Sequence, residues 1–419
     1  MGGGLIQLVA YGAQDIYLTG QPQITFFKSV YRRYTNFAIE SILETVTGNP
    51  GFGSKVTVTV NRNGDLLKKL WIQYSPKSLL GGISPSATVG ANIGHALIDT
   101  VELEIGGQLI DRQYGKWLTI WNYLTESNPT GQQGYITTTC GSPNDNNNAV
   151  IQDGNTTSRY NTMAYTHRGN VGITSSSSAP DYAYVPLQFW FCKNPGLAIP
   201  LIALQYQEVK LNIKLGTLDN IVNTKTLTGN EFNNFGVYGD YIYLDTTERR
   251  QFAQNAHEYL IDQLQINPGT VDKNIILQFN HPVKEIIWST VPKAVAGTNI
   301  NPSNVVPGGA SPSASLQSSN YKLTFNKTDR FIERDLTYFT TNQVWDCHTG
   351  YGSVLFPNSV AVYSFSLRPE EHQPSGTCNF SRLDLAQLVR TSTDAIDIYA
   401  VNYNILRIMS GMGGLAYSN

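Results

Sequence analysis

Few residues in this chain are spaced for chemistry. His257-Glu258 opens like a zinc-protease helix, but Tyr259-Leu260-Ile261 follows, so the second histidine of HExxH is missing. The pair reads instead as a surface helix end. Cys347-His348 has no second pair at zinc-ligand spacing. Gly411-Met412-Gly413-Gly414 lacks the strand–turn–helix setting of a phosphate loop, and no GxSxG elbow occurs. Glu370/Glu371 and Asp394/Asp397 are the residue types of a glycosidase acid and base. As close neighbours in sequence they read as solvated loop acids. No catalytic residue, cofactor site or metal site is expected.

The residues that stand out are suited to contact. Segment 23–34 (QITFFKSVYRRY) spaces Phe26, Phe27, Val30, Tyr31 and Tyr34 for one side of a helix, with Lys28, Arg32 and Arg33 between them. Two readings stay open: a docking element for acidic partners or lipid head groups, or a helix tucked under its own domain. Lys+Arg 29 against Asp+Glu 31 leaves a formal charge of −2, which provides no broad basic face for nucleic acid. Charged residues are 14%, against about 25% in ordinary soluble chains. Tyrosine (24) and glycine (37) are abundant, a mixture that favours strands and turns over a helical bundle. A surface poor in charge and rich in aromatics also suits burial against other subunits.

Nothing at the start reads as a targeting signal. The first basic residue is Lys28, and Ile6 stands where a myristoylation signal wants Ser or Thr. Apolar runs such as 197–204 are far short of the ~20 residues of a spanning helix. The cysteines (Cys140, Cys192, Cys347, Cys378) are scattered, so buried reduced thiols are expected.

Alternation predicts strands over 37–47, 55–60, 66–74, 101–105, 185–191, 204–215 and 237–244. Asn61-Arg62-Asn63-Gly64-Asp65 reads as a hairpin turn. Tyr114, Trp117, Leu118, Trp121 and Leu124 mark a short amphipathic helix. Asp245-Thr246-Thr247-Glu248 has capping-box spacing and predicts a connector helix to about Tyr259. Polar tracts 127–180 and 293–319 read as long exposed loops.

The second half echoes the first. Lys68 ahead of Leu70-Trp71-Ile72 is matched by Lys284 ahead of Ile286-Ile287-Trp288. Leu103–Gly107 leading to Asp111-Arg112 is matched by Leu323–Lys327 leading to Asp329-Arg330. Phe189-Trp190-Phe191 is matched by Phe365-Ser366-Leu367. Duplication of one β domain follows, and the fold class expected is all-β: two tandem eight-stranded jelly rolls with a few short helices. The expected division is an N-terminal arm (1–25), a first jelly roll (26–246), a linker helix (247–259) and a second jelly roll (260–419).

The run YGAQDIYLTGQPQITFFKSVYRRYTNFAIES (11–41) resembles the opening of the major capsid proteins of nucleocytoplasmic large DNA viruses, nearest those of the chlorovirus-type algal phycodnaviruses. NRNGDL (61–66), VELEIGGQLID (101–111), NPGLAIPLIALQYQEVKL (194–211) and DYIYLDTTERRQFAQNAHEYLI (240–261) carry the resemblance on. QPSGTCNFSRLD (373–384) and IYAVNYNILRIMSGMGGLAY (398–417) extend it through the second half; only the two polar loops depart. It implies a structural protein of the virion, synthesised and assembled in host cytoplasm. Three chains would form a pseudo-hexagonal homotrimer tiling an icosahedral shell, with minor capsid proteins, neighbouring capsomers and an internal viral membrane as partners and no direct nucleic acid. Phe26, Phe27, Lys28, Tyr31, Arg32 and Arg33 would then lie at the inward-facing base. Two alternatives are a vertex-specific or minor capsid paralogue and a carbohydrate-active β-sandwich, the second lacking a secretion signal.

Relatives in this family also carry sugars attached by viral enzymes. Of the sequons at Asn155, Asn326 and Asn379, only Asn155 falls in a polar loop; Asn299 and Asn301 are the candidates in the second loop.

Overall fold

The computed structural model describes residues 3–81, 92–126, 159–166, 180–221, 232–290, 316–350, 352 and 358–417. The chain divides into two units, Met1–Asn36 and Phe37–Asn419. In the small unit the helices are Gly3–Val9 and Ile16–Thr19, not 23–34 as the spacing predicts. Residues 23–34 are exposed throughout and have no regular structure. Their β-branched and aromatic side chains are weak helix formers, and so short a helix needs a packing partner to persist.

The larger unit holds two jelly rolls. The first is built from β1 (Phe37–Glu44), β2 (Val46–Thr47), β3 (Lys55–Val60), β4 (Leu66–Tyr74), β5 (Ile98–Ile105), β6 (Gln108–Tyr114), β7 (Ala183–Pro186), β8 (Ile199–Pro200), β9 (Val209–Leu215) and β10 (Gly236–Leu244). The second has β11 (His257–Thr270), β12 (Asn274–Ile276), β13 (Pro282–Thr290), β14 (Asn320–Phe325), β15 (Thr328–Asp329) and β16 (Arg334–Asp335). It is completed by β17 (Val360–Ser364), β18 (Cys378–Asn379), β19 (Ala386–Arg390), β20 (Ile396–Met409) and β21 (Met412–Leu415).

Strand order proves the duplication. One sheet runs β1-β10-β4-β7 in the first half and β11-β20-β13-β17 in the second. The facing sheets run β3-β9-β5-β6 and β12-β19-β14-β15. Even the short strand beside the third repeats: Leu66↔Pro200 and Leu67↔Ile199 correspond to Pro282↔Asn379 and Val283↔Cys378. With that register Trp71 takes the place of Ile287, so the two tryptophans are not equivalent. Ile72 and Trp288 face their own cores, whereas Ile287 faces outward into a separate cluster.

Both β5–β6 and β14–β15 close through two residues of positive φ: Gly106 and Gly107 at +59° and +84°, Asn326 and Lys327 at +48° and +67°. Such turns match the right-handed twist of the strands they join. A Cβ on Gly106 would meet the Gln207 amide at 2.4 Å, while one on Gly107 meets nothing within 4 Å. Gly106→Val should therefore cost about 1–3 kcal/mol and Gly107→Ala less, read as a drop in urea midpoint.

Several segments differ from the sequence reading. Residues 61–65 do not make a hairpin, because β3 and β4 lie in different sheets. Side chains direct the crossing: the Glu44 carboxylate accepts from the Asn61 amide N–H at 3.1 Å and Asp65 accepts from Leu244 N–H at 2.9 Å. The strand expected over 185–191 ends at Pro186, and Trp190–Lys193 is a helical turn that buries Trp190 and Phe191. Proline has no N–H to continue the ladder. The strand expected from Leu204 begins at Val209. The connector helix covers Thr246–Gln254 only, with no bond from the Asp245 side chain, and β11 pairs with β20 from His257↔Ile408 onward. His257 is thus the start of a strand, its Nε2 2.8 Å from the Phe252 carbonyl, and not a helix end.

Candidate assembly surfaces

The small unit is an array of uncovered apolar side chains. Phe27 is 97% exposed and Phe26 88%, with Tyr31 and Tyr34 at 83%. Lys28, Arg32 and Arg33, interleaved with them, are exposed as well. This juxtaposition of aromatic rings and cations needs no helix. It is suited to contact, with apolar area to bury and charge to orient it.

In the larger unit the main contact is between the two jelly rolls. The helix Gly115–Thr125 lays Trp117, Ile120, Trp121 and Leu124 on the outer face of the β11-β20-β13-β17 sheet, against Ile287, Val362, Tyr399 and Val401. Ring centroids are 5.5 Å apart for Trp117–Trp121 and 5.3 Å for Trp117–Tyr399, within the range of favourable aromatic contact. Ile261, Leu406 and Ile408 extend from the second jelly roll into the first core. At the margin the buried Lys116 Nζ lies 2.7 Å from Asp397 Oδ2. Burial pulls this lysine down to about 8 against the opposing pull of Asp397. Asp111 accepts from Leu264 N–H across the same contact at 3.1 Å; burial lifts its carboxyl to about 7.

A second buried ionic group holds the far end of the sheet. His348 Nε2 lies 3.0 Å from Glu285 Oε2, and its Nδ1 3.0 Å from Glu370 Oε1. Glu370 also accepts from Thr349 N–H at 3.0 Å. Burial alone would depress the imidazole; Glu285 and Glu370 outweigh it and raise His348 to about 9. Beside it the buried Lys284 ammonium sits 2.9 Å from Asp262. The next two residues join the halves, with Thr349 Oγ1 donating to the Thr125 carbonyl at 2.9 Å and Gly350 N–H to the Leu124 carbonyl at 2.7 Å.

These bonds account for every acid considered as catalytic. Glu370 clamps His348, Glu371 pairs with Arg368 at 3.1 Å, Asp394 with Arg390 at 3.0 Å, and Asp397 with Lys116. Among the described residues no group of three His, Cys, Asp or Glu side chains could hold a metal ion. Gly411 is the turn of the β20–β21 hairpin, with φ +81°. No local signal could have revealed the ionic groups, since Lys116 and Asp397 are 281 residues apart and His348 and Glu285 63. Asn155, Asn299 and Asn301 lie outside the described residues. Of the remaining sequons, Asn326 uses its side-chain oxygen to accept Leu385 N–H and Asn379 to accept Ser381 N–H.

Comparison with known proteins agrees with this architecture. Residues 25–245 match the model "Major capsid protein N-terminus" and residues 248–414 the model "Large eukaryotic DNA virus major capsid protein". A major capsid protein of Pyramimonas orientalis virus is 45% identical, covering 100% of both chains. That of Paramecium bursaria Chlorella virus 1 is 38% identical, again covering 100% of both. A quasi-atomic model of the capsid of the latter virus superposes with a TM-score of 0.70 at 34% identity, covering 94% of this chain and 100% of that one.

Proposed function

The chain belongs to the major capsid proteins of large eukaryotic DNA viruses, and from that premise we propose that it is the bulk subunit of an icosahedral shell, three copies closing into a pseudo-hexagonal capsomer. The observation that carries this reading is the shared strand order of the two jelly rolls. Three such chains supply six like walls, so a three-fold assembly acquires a nearly six-fold outline that tiles. The low charge of the chain, 14%, suits walls that are buried between copies. Light scattering of the purified chain should give the mass of three copies; stable monomer alone overturns the reading. Copy number per virion separates a bulk subunit from a vertex-specific or minor paralogue.

The aromatic and basic segment of the small unit is the inward-facing dock in this reading. Phe26, Phe27 and Tyr31 would bury against minor capsid proteins or the internal membrane, and Lys28, Arg32 and Arg33 would meet acidic groups there. Replacing Arg32 and Arg33 together by Glu should leave the trimer intact and stop shell assembly in virus-producing host cytoplasm. Normal shells from that variant end the docking role. The polar loops would rise on the outer side and carry sugar. Peptide mapping of virion protein should find added mass at Asn155, with Asn299 and Asn301 next in order; unmodified peptides throughout both loops remove the claim.

A further inference from the structure

One contact is made once within the chain, and its two halves each occur twice. The helix Gly115–Thr125, after the sixth strand of the first jelly roll, covers the outer wall of the second. The first jelly roll has the same wall. Tyr238↔Trp71 occupies the register of Tyr399↔Ile287, and Leu43↔Tyr238 that of Ile266↔Tyr399. Leu43 is 56% exposed there, and Trp71 and Tyr238 are only half-buried. Their counterparts Ile287 and Tyr399 are buried under Trp117 and Trp121.

The second jelly roll has a shorter helical segment at the corresponding place, the π-turn Tyr338–Asn342 continued by Gln343–Cys347, between β16 and β17. Phe339 is buried in the core of its own roll and Val344 in the cluster shared with the Gly115–Thr125 helix; Thr341, Asn342, Trp345 and Asp346 face out. Trp345 is 83% exposed, an unusual state for the side chain most enriched in interface anchors. Charge is matched as well. Asp346 adjoins Trp345, and Lys69 Nζ stands 5.4 Å from the Trp71 ring centroid on the wall. The internal contact has the same kind of margin in Lys116–Asp397.

We propose that the Trp345 helix of one copy docks on the Trp71–Tyr238–Leu43 wall of the next, so that the contact between copies repeats the contact between the two jelly rolls. The occupant of the wall is a second copy of this chain. A head-to-tail contact of this kind continues until it closes a ring. The inference rests on the trimeric reading above and adds which residues make the joint.

The test uses the full chain. Trp345→Ala removes a side chain that is already in water, so its melting curve as a monomer should match the wild type. Its trimer should dissociate about 30-fold more readily in sedimentation equilibrium, the loss typical of a central interface tryptophan. In a second variant, Trp345→Cys with Leu43→Cys should give chains cross-linked up to trimers on oxidation, above the background of either single change. Trimers of unaltered strength in Trp345→Ala, together with no added cross-link, overturn this joint while leaving the trimer standing. A wild-type chain that never associates overturns the trimer itself, and the joint with it.

Discussion

Replacing Glu285 by Ala should destabilise the second jelly roll by about 3 kcal/mol, the low end of the cost of breaking a buried ion pair, because Glu370 still meets the imidazole. Glu285 is fully buried, and its carboxylate is one of two that hold the His348 imidazole. The double change Glu285→Leu with His348→Leu should cost less than Glu285→Ala alone, since neither charge then remains inside. A double variant as unstable as the sum of its parts would show that the two side chains do not act as a pair. The same clamp gives the protein an alkaline limit. Held by Glu285 and Glu370 against the effect of burial, His348 keeps its proton to about pH 9 in the folded chain. The unfolded histidine releases it near 6.5. The contribution is therefore complete below about pH 6.5 and is lost as pH rises through 9, on the order of 3 kcal/mol. Lys116 works in the opposite direction: its folded value of about 8 lies below that of a free lysine, so its burial costs most below pH 8. Comparing urea midpoints of wild type and His348→Leu between pH 6 and 10 isolates the histidine. Parallel curves would remove the clamp from the account.

The second large effect is expected at Trp117, which is 2% exposed and lies between Trp121 and Tyr399. Trp117→Ala should cost about 3–5 kcal/mol, since the cavity sits under a helix fixed at both ends and cannot collapse freely. Its readout is distinctive. The two jelly rolls have separate cores and share this cluster, so loosening it should split one cooperative calorimetric transition into two. One transition at a lowered temperature would mean that other contacts couple the halves, such as Ile261 and Leu406 entering the first core, and an unchanged temperature would remove the cost assigned to Trp117.

What the sequence by itself determined is what rests on local periodicity and repetition. The alternation of Val56, Val58 and Val60 makes β3, which buries one side, and the spacing of Trp117, Trp121 and Leu124 makes a helix, although the fold buries that helix from Gly115 to Leu124 on every side because a jelly roll lies on each. The paired landmarks disclosed the duplication, and long matching strings disclosed the family. Tertiary structure decided what depends on distant partners. Whether 61–65 turns back as a hairpin or crosses to the facing sheet was set by Glu44 and Asp65, whose bonds reach residues 17 and 179 positions away. The segment 23–34 has helical spacing and no helix, since spacing offers a face and only a partner surface makes the face worth forming. Glu370 and Asp397, which read in sequence as solvated loop acids, are clamps on His348 and Lys116, because an ionised group enters a core only where folding brings it an opposite charge, and chain order carries no record of that meeting.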